Sequence, residues 1–218
     1  MDPAPTILAF DTSAAHCAAA LLHGGRIVDE RHEAMGRGQA ERLMPLLADI
    51  LKDAGLGWGD LDGIGVGVGP GNFTGIRIAV AAARGLALGL GVPAIGVTGF
   101  EALAHDEGGP VLVALPAPRE TLYLQLVGGG TAPRHLAPDE VSGAFDLPPG
   151  TRVLGHGAEA LGQALGIMAL PRPLAGIAPA IARIAADRLG QAQPRPAPLY
   201  LRPADAAPPA DPPPVILP

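Results

Sequence analysis

The chain is short of cysteine, serine, lysine and aromatic side chains, and each shortage removes a class of protein. The one cysteine, Cys17, excludes an internal disulfide framework. Its neighbours Ala18, Ala19, Ala20 and Leu21 are apolar, so the thiol is expected in the core and not as a nucleophile. The two serines, Ser13 and Ser142, stand outside any nucleophile elbow. The six histidines are scattered, with no pair at the spacing of a helical metal site. No metal is therefore expected, and each histidine is expected at the surface. Aromatic content of 3% leaves a core of Leu, Ala, Val and Ile. A formal charge of −6 argues against a free-standing nucleic-acid binder, which usually carries a basic patch. Lys52 is the sole lysine, and with so much Ala, Gly and Pro this reads as the coding bias of a GC-rich genome. Asp2, Pro3 and Pro5 stand where a basic leader would begin, so no signal peptide is expected. Arg77 and Arg84 interrupt the apolar stretch 76–90, which argues against a membrane span. The simple reading is a soluble cytoplasmic protein of one large or two small domains.

Glycine is abundant, and it concentrates in residues 62–99. Ile64, Val66 and Val68 alternate with glycine, as a short buried strand would. Gly69, Pro70, Gly71 and Asn72 break that pattern, and a helix rich in Ala, Ile and Leu follows over 74–89, with Thr74 as its expected cap. A strand, a glycine-rich loop and a helix N-terminus make an anion site. The loop Gly69, Pro70, Gly71, Asn72, Phe73, Thr74, Gly75 nevertheless matches neither the P-loop nor the dinucleotide fingerprint. Two readings stay open: ligand binding assisted by Arg77, or a tight turn where backbone passes close to a neighbouring element. Gly71 is expected at positive φ.

The rest of the chain reads as a mixed sheet with helices packed on it. Strands are expected at 6–10, 16–22 and 26–33, with His23, Gly24 and Gly25 as a hairpin turn. Residues 39–54 form the clearest amphipathic helix, ended by Gly55, with Pro45 expected to kink it or mark a late start. A strand at 63–68, the helix at 74–90, a strand at 92–97 and a short helix capped by Thr98 follow. Gly108 and Gly109 mark a boundary. Strands 111–115 and 122–127 form a hairpin of a second unit, 128–150 is turn-rich, and 178–189 is a helix. Ten of the last 25 residues are proline, so 204–218 is expected to be an extended or disordered tail. Asp11 is the best carboxylate candidate. It ends a strand before Thr12 and Ser13, where it either orients a water or a metal-bound phosphate, or merely caps the turn.

Several stretches resemble the bacterial TsaB (YeaZ) family: residues 7–13, Glu41 to Leu43, Gly69 to Arg77, Gly85 to Gly89 and Pro198 to Arg202. The run from Gly69 to Arg77 is the specific one. The resemblance covers residues 6–104 well, is patchy to 190 and returns at 198–203. It implies an α/β actin-like/Hsp70-like ATPase (ASKHA) fold of two lobes, divided here as 1–107 and 108–203, with 204–218 as the proline-rich tail. It implies a role in making N6-threonylcarbamoyladenosine at position 37 of tRNAs reading codons that begin with A. In that family the protein is the non-catalytic partner of TsaD, which holds the metal and transfers the threonylcarbamoyl group. TsaE is the associated ATPase, and tRNA meets the protein within the complex.

The departures from the catalytic paralogue fit that role. Residues 36–42 hold none of its metal-binding histidines, and Gln39 stands where many relatives keep one. Asp11, Thr12 and Ser13 lack the glycine that brings backbone to phosphate, so they read as a vestigial phosphate site. Pro116, Ala117 and Pro118 stand where relatives often read Asp-Ala-Arg before a strand, and the second lobe is expected to be short. No catalytic residue and no cofactor is assigned. Function then falls to surfaces, and the resemblance implies pairing of the two N-terminal helices with TsaD or with a second copy of the chain. The residues assigned to that pairing are Leu43, Leu46, Leu47, Ile50, Ile76, Arg77, Val80, Ala81, Arg84 and Gly85. Ala81, Gly85 and Gly89 form a ridge of small residues that permits close helix approach. A metal-dependent peptidase and a sugar-kinase-like phosphotransferase are the alternatives, the first opposed by the absent ligand cluster and the second by the absent phosphate glycine.

Overall fold

Side-chain alternation on the four strands beside a polar edge strand builds a first sheet that is apolar on both faces. The computed structural model describes residues 4–170, 172 and 176–202. Strands β1 (Ile7–Asp11), β2 (His16–His23) and β3 (Arg26–Ala34) form an antiparallel meander. After helix α1 (Gln39–Asp53), strand β4 (Gly63–Gly67) adds parallel to β1. Helix α2 (Phe73–Leu90) then leads to β5 (Ala94–Val97), parallel to β4. The order across the sheet is β3-β2-β1-β4-β5.

A second sheet repeats the first. Following α3 (Gly99–Ala104), strands β6 (Val111–Pro116), β7 (Leu122–Val127) and β8 (Arg134–Leu136) form another antiparallel meander. Strand β9 (Arg152–Gly155) pairs parallel with β6, helix α4 (Ala158–Leu165) follows, and β10 (Met168–Leu170) pairs parallel with β9. Its order, β10-β9-β6-β7-β8, is the first sheet's order read from the other end. The meander, the outward parallel strand and the crossover helix thus occur twice, in the same sequence.

Three apolar layers separate and flank the sheets. On one face of the first sheet, Leu8, Phe10, Ile64 and Val66 pack under α1 and α2. On the other face, Ile7, Ala9, Ile95 and Val97 meet α3 and helix α5 (Ile177–Asp187). That middle layer also takes Val111, Val113 and Tyr123 from the second sheet, whose far face is covered by α4. The chain passes from the first sheet to the second between β5 and β6. The lobe division by sequence position, however, misplaces the C-terminal segment. Helix α5 lies on β1, β2 and β4 of the first sheet, and Leu199 donates its N–H to the Val68 carbonyl at 2.8 Å. The chain crosses back because the first sheet has two apolar faces and only one is covered by its own helices. Residues 204–218, read from sequence as a tail, lie outside the described residues.

The glycine alternation in β4 has a packing cause. A Cβ on Gly65 would sit 3.1 Å from Ala9, Ile181 and Ala185 together, so glycine lets α5 settle onto the strand. On β2, Ala18 and Ala20 serve the same helix, against Ala178. The edge strand β3 is exposed at alternate positions and carries charge on both faces, with Glu30 on one and Asp29, Arg31 and Glu33 on the other, which discourages pairing with another sheet.

Helix α1 runs through Pro45 without interruption, against the expected kink or late start, with Pro45 itself on the exposed side. Gly55 follows its end at φ +70°, as an αL terminator should. Strands 152–155 and 168–170 and helix α4 had no counterpart in the sequence reading. They are short, and two of them are only three or four residues long, below what periodicity resolves.

Candidate functional site

The glycine-rich loop is shaped by the backbone of residues 11–13. Ser13 accepts a bond from the Asn72 N–H at 2.6 Å, and the Thr12 hydroxyl donates to the Gly75 carbonyl at 2.7 Å. A Cβ on Gly71 would overlap the Ser13 carbonyl, and one on Gly75 would overlap the Thr12 carbonyl. Gly71 is therefore required by close approach and not by positive φ; Gly69, at φ +94°, is the residue in the left-handed region. Asn72 caps α2 by accepting from the Gly75 N–H at 2.9 Å, whereas Thr74, the expected cap, is an exposed residue of the first turn. The loop backbone thus passes in close contact with residues 12 and 13.

Asp11, Thr12 and Ser13 are all buried. Asp11 Oδ1 accepts from the Ser13 N–H at 3.0 Å, from the Ser13 hydroxyl at 2.9 Å, and lies 2.7 Å from His16 Nε2. Its Oδ2 is buried without a partner beside Gly67, where any Cβ would overlap it. His16 is thus a core residue, at 3% exposure, which corrects the expectation that every histidine lies at the surface. The polar atoms that would face a phosphate at this position bond to one another instead. Cys17 is buried as expected, and burial pushes its thiol up to about 11. Among the described residues no three His, Cys, Asp or Glu side chains converge as a metal site would require.

The outer face of α1 and α2 has the opposite character. Leu43, Leu46, Leu47, Ile50, Ile76 and Val80, assigned from sequence to partner contact, are buried against the sheet, which corrects that assignment. Their helical spacing reported a core stripe, and no second stripe lies among them. Arg77, Ala81, Arg84 and Gly85 do face outward. A Cβ on Gly85 or Gly89 would meet nothing within 4 Å. These two glycines open a groove of about 600 Å³ lined by Met44, Trp58, Ala82, Leu86 and Leu90. Of its walls Met44 is 41% exposed, while Leu88, 87% exposed, lines a cleft on the other side of Gly85. The glycine ridge is legible in the sequence; Met44, Trp58 and Leu86 join it only in the folded chain. The signal available was that α2 is apolar on more sides than its own sheet can cover. It is the one helix among the described residues long and apolar enough to cross a membrane, yet one side packs on the sheet and the other carries Arg77 and Arg84.

Charged residues frame this face. The Arg77 guanidinium lies 3.8 Å over the Phe73 ring, and its Nε donates to the Tyr200 hydroxyl at 3.0 Å, while the Phe73 and Tyr200 rings approach to 4.8 Å. Arg42 makes a two-pronged bond to Glu33, both at 2.7 Å, tying α1 to the edge strand. That bond holds the Glu33 carboxyl below the usual range. Behind α2, a cleft of about 600 Å³ is lined by Arg84, Arg188 and Arg195 with no carboxylate among its walls. Arg188 is held by Glu101 at 2.5 Å.

Comparison with known proteins bears on this arrangement. The sequence model of the family described as TsaD, tRNA N6-adenosine threonylcarbamoyltransferase, matches residues 31–143. An uncharacterized protein of Mycobacterium tuberculosis is 35% identical over 206 residues, covering 93% of this chain and 94% of its own length. A Pseudomonas aeruginosa protein described as similar to the peptidase YeaZ is 30% identical, with a TM-score of 0.64 over 91% of this chain and 100% of that one. The structure of YeaZ from Pseudomonas aeruginosa aligns at 27% identity with a TM-score of 0.66, over 90% and 100% of the two chains. The ethanolamine utilization protein EutJ of Carboxydothermus hydrogenoformans, 12% identical with a TM-score of 0.51 over 83% and 90%, shares the fold alone.

Proposed function

This chain belongs to the TsaB (YeaZ) family, with its two-lobed actin-like fold, and from that premise we propose that it acts as a non-catalytic docking partner. Its partner in this reading is a TsaD-type transferase, and the outer face of α1 and α2 is the surface that binds it. The observation that carries the reading is the apolar groove with a glycine floor at Gly85 and Gly89, walled by Trp58 and by a methionine, Met44, left 41% exposed. A soluble protein seldom leaves such a patch uncovered unless something binds it. Glycine at those positions lets an incoming helix approach to backbone distance. In the same reading the chain supports formation of threonylcarbamoyladenosine at position 37 of tRNAs reading codons that begin with A, in the cytoplasm. The ATPase TsaE joins the complex, tRNA is met through the complex, and in isolation two copies of the chain pair through the same helices.

The internal bonding of Asp11, Thr12 and Ser13 supports the non-catalytic part of the reading. A phosphate-binding ATPase of this fold needs free donors at the first hairpin, and here they are turned onto Asp11 Oδ1 and the Gly75 carbonyl. The test is reconstitution with the TsaD-type protein, the ATPase and the adenylate-forming enzyme of the same organism. Mass spectrometry of the tRNA should show modification only when this chain is present. The isolated chain should show no transferase, peptidase or ATPase turnover. Modification at full rate without the chain would overturn the proposal.

A further inference from the structure

The cleft behind α2 continues the docking face. Gly85 lines both the apolar groove and this cleft, so the two are neighbours across one residue of the helix. Their chemistry differs. The groove is walled by Met44, Trp58 and Leu86, whereas the cleft holds Arg84 from α2, Arg188 from just after α5 and Arg195 from the segment that returns to the end of β4. Arg188 is already held by Glu101. Arg84 and Arg195 are exposed and have no carboxylate partner among the described residues. We propose that the cleft takes an acidic, extended segment of the protein that docks on the groove, with its carboxylates on Arg84 and Arg195. This rests on the docking reading above and adds the partner's chemistry to it.

Charge, polarity and backbone each favour this occupant. On a chain of net charge −6, two arginines left without a carboxylate are a local exception, and they attract an anionic group at close range. Leu88, 87% exposed, shares the cleft wall with Val92 and Ile95, and the apolar side chains of a peptide cover it. The third feature is the open edge of the first sheet. Strand β5 is outermost, and the Pro93 and Val97 carbonyls accept from the Ile64 and Val68 N–H groups, both at 2.9 Å. Odd-numbered residues therefore face β4, and Ala94 turns its N–H and carbonyl outward on the cleft side. An extended peptide returns both a donor and an acceptor to such an edge. RNA is the competing occupant. Its phosphates suit the arginines, but a sugar–phosphate chain leaves Leu88 uncovered and meets the repulsion of the chain's overall negative charge.

The test is titration of the TsaD-type protein into the parent chain, an Arg84→Gln/Arg195→Gln double variant and a Gly89→Leu variant, each at low and high salt. All three substituted positions are exposed, and Gly89 lines the groove but not the cleft, so the two variants probe separate surfaces of a folded monomer. The double variant should bind about tenfold more weakly at low salt, and the gap should narrow at high salt because exposed ion pairs are screened. Parent affinity in the double variant at both salt concentrations overturns the cleft proposal; if Gly89→Leu weakens binding in the same series, the docking reading stands without it. Weakened binding by the double variant with parent affinity in Gly89→Leu supports the cleft and counts against the groove. A parent chain that does not bind the TsaD-type protein at all overturns both. Fluorescence anisotropy of labelled tRNA with the chain alone completes the set. Parent and double variant should give the same curve; tRNA binding that only the double variant loses, with partner affinity unchanged, overturns the proposal in favour of RNA.

Discussion

Gly75 and Thr12 are locked together by sterics and by a hydrogen bond. The Thr12 hydroxyl donates to the Gly75 carbonyl at 2.7 Å, while the Thr12 carbonyl occupies the space a Gly75 side chain would need. The start of α2 is thereby held against the first hairpin, and the groove on α2 is positioned relative to β1.

Gly75→Ala should therefore destabilise the fold. The overlap is with backbone, which cannot rotate away, so the cost is that of overpacking a tight contact, about 1–3 kcal/mol. Gly71→Ala meets the Ser13 carbonyl and should behave alike, despite a φ that alanine tolerates. Chemical denaturation of both variants checks this. An unfolding free energy equal to the parent's for either one would remove the close approach as the reason for these glycines.

Gly85 offers the opposite outcome. It sits on the exposed face of α2, well inside the helix, with open space around it. Gly85→Ala should stabilise the monomer by about 0.5–1 kcal/mol, because glycine loses more backbone entropy on entering a helix. Gly85→Leu should leave the monomer folded and weaken association with the TsaD-type protein about ten- to hundredfold, since a bulky side chain holds the helices apart. Calorimetry on the monomer and titration with the partner measure the two effects separately. Wild-type affinity in a folded Gly85→Leu variant would take the groove out of the interface.

Acid should act at the start of α3. Burial opposes ionisation of Glu101, but the Thr98 N–H at 2.8 Å, the Arg188 guanidinium and the Thr98 hydroxyl outweigh it and hold the carboxyl below its ordinary 4.5. A depressed folded value means this stability is present above the ordinary value and is lost as pH falls through the folded one. Glu101→Gln should flatten the fall in stability below about pH 4.5, and Thr98→Ala, which removes the reciprocal cap, should cost about 1 kcal/mol near neutrality. Urea titrations at a series of pH values test both.

Cys17 should be silent in the native protein. With its thiol raised from 9.0 to about 11 and no exposed surface, it should resist a disulfide-exchange reagent at pH 8 and react fully in denaturant. The unfolded thiol ionises above about pH 9 while the native one stays protonated, so its contribution to stability falls as pH rises from 9.0 towards 11. Stoichiometric native reaction within minutes would contradict this burial.

The sequence by itself determined what is local. The hairpin at Gly24 and Gly25, the amphipathic period of α1, the Thr98 cap and the hairpin of β6 and β7 are all written in short-range patterns, and the structure holds each of them. The glycine ridge at Gly85 and Gly89 was equally visible in the sequence. The tertiary structure decided which helix face each residue occupies. Leu43, Leu46, Leu47, Ile50, Ile76 and Val80 carry the same period whether they meet a sheet or a partner, and only the position of β1, β2 and β4 beneath them makes them core. It likewise decided why the loop glycines are there. The carbonyls of Thr12 and Ser13 that exclude a Cβ lie some sixty positions earlier in the chain, beyond the reach of any local pattern. The return of α5 to the first sheet follows from the same cause: a sheet with two apolar faces must be covered twice, and sequence order does not say by which segment.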